Sequence, residues 1–108
     1  ACCIVSAETV GAKLYQQSCE EFDLANLGLR YIDVFYYDSD HSAKATYEAI
    51  MKFSGKFAPR RCVLVVDDWS DLEIRGATYT ALGQIKPIEV CEWTLDDNQQ
   101  VYIALIVR

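Results

Sequence analysis

Cys62-Val63-Leu64-Val65-Val66-Asp67-Asp68-Trp69 reads as a buried strand that ends on acid. Five consecutive apolar residues match a parallel-sheet strand covered on both faces. A second stretch repeats the plan. Tyr31 to Tyr37 is aromatic and β-branched, and Asp38-Ser39-Asp40-His41 follows it directly. In open α/β sheets, ligands bind at the carboxyl ends of the strands. Carboxylates gathered there repel one another unless a cation or a proton neutralises some of them. The two acidic strand ends therefore predict one site, most simply a seat for a divalent metal.

Outward from these strands, the chain alternates. Residues 2 to 6 are a short apolar run and read as a strand. Residues 8 to 22 carry Val10, Leu14, Cys19 and Phe22 at helical spacing, with Thr9 placed to cap. Asn26-Leu27-Gly28 supplies a turn. Residues 42 to 53 read as a helix capped by Ser42, with Ala45, Ala49 and either Ile50 or Phe53 facing inward. Residues 71 to 85 read as a third helix, weakened by Gly76 and Gly83. Residues 88 to 94 and 101 to 107 read as two strands joined by the polar loop Asp96-Asp97-Asn98-Gln99. The order β-α-β-α-β-α-β-β predicts an α/β fold. Its sheet would be mostly parallel, of about five strands, with a C-terminal antiparallel hairpin and helices on both faces.

At 108 residues the chain makes one domain, residues 1–108. A hydrophobic fraction of 52% excludes a disordered chain. A formal net charge of −6 argues against nucleic acid and against an anionic membrane surface. No apolar run reaches the ~18 residues of a membrane span. The five cysteines (Cys2, Cys3, Cys19, Cys62, Cys91) are odd in number and lack C-x-x-C spacing. They read as reduced thiols of an intracellular, cytoplasmic protein.

If the two strands are parallel neighbours, their ends lie about 5 Å apart laterally. Asp38 and Asp67 or Asp68 can then share one ion, and hard oxygen ligands select Mg²⁺, Ca²⁺ or Mn²⁺. Such an ion would orient a substrate hydroxyl and lower its pKa. His41, three residues past Asp38, is a candidate general base, with a surface or capping role as its structural alternative. Capping by Asp40, Ser70 or Asp71 explains one acid per turn, but not the pair Asp67-Asp68. Trp69 reads equally as a substrate wall and as core lining.

The succession of apolar strand, D-x-D-H-S, helix, A-P-x-x, second strand and V-D-D-W resembles the second half of a class I S-adenosylmethionine-dependent methyltransferase. It is most similar to the metal-dependent O-methyltransferases of catechol, caffeoyl-CoA and macrolide-sugar type. The closing hairpin, Ile88–Thr94 with Val101–Val107, is similar to that family's reversed last strand. The resemblance implies a Rossmann-like sheet, with Asp38, Asp67 and Asp68 as ligands of Mg²⁺ or a similar cation against the acceptor hydroxyl. It puts His41 where the catechol type has a basic Lys. It sets Glu8 near the adenine, counts Asp38 on the cofactor side and makes Trp69 a wall for a small-molecule acceptor. Ala58-Pro59-Arg60-Arg61 lacks the Gly pair common there, and neither Gly11 nor Gly28 makes the glycine-rich loop of the cofactor half. That implies either a missing N-terminal portion or a half-domain that forms a homodimer. The competing expectations are a non-catalytic module for binding or assembly, and a receiver-like acidic pocket. The receiver pattern wants a Lys at the end of its fifth strand, and none stands there.

Overall fold

The computed structural model describes residues 15, 17–28, 30–38, 42–87, 89–94 and 100–106. A 3₁₀ turn, Leu24–Leu27, leads into strand β1 (Val34–Tyr37), helix α1 (Ala43–Ser54), β2 (Cys62–Val66), helix α2 (Leu72–Ile85), β3 (Glu89–Thr94) and β4 (Gln100–Ile106). The strands form one four-stranded sheet in the order β1-β2-β4-β3. β1 pairs parallel with β2, Val34 to Val63 and Tyr37 to Val66. β4 runs antiparallel to both β2 and β3, so β3 points the same way as β1 and β2.

This corrects the sequence expectation of about five strands with helices on both faces. Strands β1, β2 and β3 step across the sheet in one direction, and right-handed crossovers taken in one direction place their helices on one face. α1 and α2 accordingly pack against each other. They share one core: Ala49, Ile50 and Phe53 from α1 and Ile74, Ala81 and Leu82 from α2 meet Tyr37, Cys62, Leu64 and Val66 of the sheet. The strand alternation sends the remaining side chains the other way. Val34 is 61% and Tyr36 56% exposed on that second face. Burying each large aliphatic side chain on the covered face contributes roughly 1.5–3 kcal/mol.

Helix starts follow the sequence signals. The Ser42 hydroxyl accepts from the Ala45 N–H at 3.1 Å, and the Asp71 carboxylate accepts from the Glu73 N–H at 2.9 Å. α1 turns Thr46, Ala49, Ile50 and Phe53 inward; Ala45 stays half-buried. The expected helix over 8–22 is corrected within its described part, which is a turn ending at Phe22. Lys52 on α1 anchors this turn. Its ammonium donates to the carbonyls of Cys19, Glu20 and Phe22 at 2.7, 3.0 and 2.5 Å. A helix ending at residue 22 would leave these last-turn carbonyls without partners, and Lys52 satisfies them and ties the turn to α1. The strand expected at 2–6 and the loop 96–99 lie outside the described residues. No helix among the described residues is long and apolar enough to cross a membrane.

Candidate metal centre

β1 and β2 run in register to their carboxyl ends, and the ladder continues one step further. The Asp67 N–H donates to the Tyr37 carbonyl at 3.0 Å. Asp38 leaves β1 at the same level. Asp38, Asp67 and Asp68 each bring one carboxylate oxygen to within 4.8 Å of the others. Asp38 is exposed, and the other two are half-buried.

The turn after β2 is built to present both of its acids. Asp68 sits in the left-handed region at φ 57. Its N–H donates to the Asp67 Oδ1 at 2.8 Å, and its carbonyl accepts from the Asp71 N–H at 2.9 Å. An acid adopts this backbone more readily than most residues because its short side chain bonds locally, but a glycine would hold it with less strain.

Tyr36 is the contact that sequence reading missed. It lies on the open face of β1, and its hydroxyl donates to the Asp67 Oδ2 at 3.4 Å. Partial desolvation pushes the phenol pKa up, and the negative charges of Asp67, Asp38 and Asp68 push it further. The signal was present in the alternation of β1, which puts Tyr36 and Tyr37 on opposite faces. A cavity of about 540 Å³ lies between Ser18–Glu20, Tyr37 and the α1 residues Lys44, Glu48 and Lys52, and none of the three acids lines it. Burial pushes the Cys19 thiol at its rim up, against a weaker opposite pull from Lys52. Cys19 is therefore a protonated thiol at neutral pH.

No family model, curated protein or solved structure matches this chain. The site therefore rests on its own geometry. The structure brings together Asp38, Asp67 and Asp68, the three acids expected as metal ligands. Trp69 follows them but turns into the core at 1% exposure. The Arg75 guanidinium lies 5.4 Å over its ring and donates to its carbonyl at 2.9 and 3.1 Å, and Tyr79 meets the ring edge-on. His41, Asp40 and Glu8 lie outside the described residues.

The donor set fits a hard divalent cation. Carboxylate oxygens spread over 4.8 Å can surround an ion bound at about 2.3–2.6 Å, the range of Ca²⁺. Mg²⁺, at about 2.0–2.1 Å, draws opposed ligands to about 4.2 Å and would close the triad by a fraction of an ångström. The described glycines do not fit a nucleotide-type cradle. Gly28 follows the 3₁₀ turn, Gly55 follows α1, and Gly76 and Gly83 lie inside α2. None of these described glycines occupies a strand-to-helix turn, where such a cradle forms.

Proposed function

We propose that this domain is the cation-and-acceptor part of a methyltransferase-like protein. Asp38, Asp67 and Asp68 would hold a divalent cation, and a small-molecule hydroxyl would be the methyl acceptor, with S-adenosylmethionine as donor. The observation that carries this reading is the convergence of three carboxylates from the ends of two parallel strands. The reversed strand β4, set between β2 and β3, supports it as well. When bound, the cation would supply charge that lowers the pKa of an acceptor hydroxyl. The residues described here do the positioning. The Asp67 carboxylate is held from one side by the Asp68 N–H and from the other by the Tyr36 hydroxyl.

The described residues build no cradle for S-adenosylmethionine. That observation favours a second reading, in which the fold serves as a non-catalytic binding or assembly module. Calorimetry separates the two. The methyl-transfer reading expects Mg²⁺ to bind, and S-adenosylmethionine to bind more tightly in its presence. Mg²⁺ binding with no S-adenosylmethionine binding supports the module. Binding of neither removes the methyl-transfer reading.

A further inference from the structure

Strand β2 is flanked by opposite charges. Arg60 and Arg61 precede Cys62–Val66, and Asp67 and Asp68 follow it. β1 repeats the plan, with Arg30 before it and Asp38 directly after Tyr37. The two strands run parallel, so the three arginines share one end of the sheet and the three acids the other. The five residues of β2 set these ends about 17 Å apart. The approaches to the two strands are tied together at the basic end. The Ile32 N–H donates to the Lys56 carbonyl at 2.7 Å, and the Ala58 N–H donates to the Ile32 carbonyl at 2.9 Å.

Local structure makes use of Lys56, which donates to the Gly28 carbonyl at 2.9 Å. The arginines differ. Arg30, Arg60 and Arg61 are exposed, and no carboxylate among the described residues pairs with them. They stand in no helix's last turn either: Lys52 is the last-turn cation of α1, and α2 has none. Asp33 and Glu89 stand at the basic end and Lys44 at the acidic end, which leaves each end an excess of its own sign. The planar guanidinium fork matches carboxylates. The chain itself presents a group of them, in the three acids whose oxygens lie within 4.8 Å of one another. A net charge of −6 makes whole copies repel, but at physiological ionic strength charges more than about 8 Å apart are largely screened, so the facing ends decide the contact. Contact between unlike patches on identical copies is heterologous and repeats as an open chain.

We propose that the arginine end of one copy docks on the carboxylate end of the next, with Arg30, Arg60 and Arg61 against Asp38, Asp67 and Asp68. The docking is independent of the methyl-transfer reading, and a bound divalent cation would compete with the neighbouring copy for the same acids. Exposed ion pairs are individually weak, so association is expected at protein concentrations on the order of 1 mM. Sedimentation velocity of the whole chain in chelator tests it. In about 20 mM salt the sedimentation coefficient should rise with protein concentration, and in about 0.5 M salt it should not. The variant Arg60→Glu, Arg61→Glu keeps only the acidic end, and Asp38→Lys, Asp67→Asn keeps only the basic end. Each alone should self-associate at least tenfold more weakly than wild type. Mixed in equal amounts they should form a dimer and nothing larger, because each retains one working end. A wild type that stays monomeric in low salt, a closed dimer that persists in high salt, variants that associate as wild type does, or a mixture that stays monomeric overturns the proposal. If a double variant fails to fold, Arg30→Glu and Asp38→Lys, both at exposed positions, take its place with the same expected outcome.

Discussion

Replacing Asp67 with Asn should stabilise the metal-free protein and destabilise it relative to wild type once cation is added. Two unit charges 4.8 Å apart, the outer limit for the triad oxygens, repel by about 0.9 kcal/mol at the dielectric of water and by about 3.5 kcal/mol at an effective dielectric of 20. Asp38 is exposed and Asp67 and Asp68 are half-buried, so the water-like end applies. Asp67 faces two such neighbours, and its neutralisation removes about 1–2 kcal/mol of repulsion after screening. Asn keeps an oxygen for the Asp68 N–H but loses the acceptor for Tyr36, a long bond worth about 0.5 kcal/mol. The net gain is about 1 kcal/mol, or a rise of about 3–5 °C in Tm for a chain this size. The gain should shrink in 1 M salt, where the Debye length falls to about 3 Å. Excess Mg²⁺ or Ca²⁺ at a hundred times its Kd adds about 2.7 kcal/mol to wild type. It should add much less to Asp67→Asn, so the order of stability inverts. Thermal unfolding in chelator and in excess cation measures both halves. A variant less stable than wild type in chelator, or an equal response of both proteins to cation, refutes the reasoning.

Asp68→Gly should raise metal-free stability by about 0.5–1 kcal/mol, because φ 57 suits glycine, while abolishing cation response; denaturant unfolding with and without cation checks both. Lys52→Met should lower stability by about 2 kcal/mol and speed amide exchange over residues 17–28, since three carbonyls lose a charged donor. The Tyr79 hydroxyl donates to Glu92, and that bond, then desolvation and the Glu92 charge, raise its pKa from the ordinary 10.0. The folded state thus holds this proton more tightly than the unfolded state. Its contribution is complete below about pH 10 and is lost as pH rises through the higher folded value. Tyr79→Phe should flatten that alkaline loss in a pH series of unfolding curves.

The local signals in the chain survive into the structure where one residue decides them. Ser42 and Asp71 cap the helices their positions suggested, and Cys62–Val66 is a strand, though buried at alternate residues rather than covered on both faces. The acid triad was legible because parallel register fixes where two neighbouring strands end. What failed depends on distant contacts. The turn at 17–22 is tied down by Lys52, some thirty residues on, a contact that local spacing does not show. The one-sided helical layer follows from the place of β3 in the sheet, beyond the reversed β4. Hairpin strands look alike in sequence whether they extend an edge or insert beside β2. Tyr36 was overlooked because an exposed aromatic on a strand carries no mark of a carboxylate that is 31 residues away.

In the proposed site, Asp38 on one strand end and Asp67 and Asp68 on the next would hold one cation between them. Terbium luminescence tests it directly, because Tyr36 touches Asp67 and can sensitise an ion held there. One saturable site is expected, whose emission Mg²⁺ or Ca²⁺ displaces, and which each of Asp38→Asn, Asp67→Asn and Asp68→Asn weakens at least tenfold. Absence of sensitised binding, or binding that survives Asp38→Asn unchanged, would contradict it.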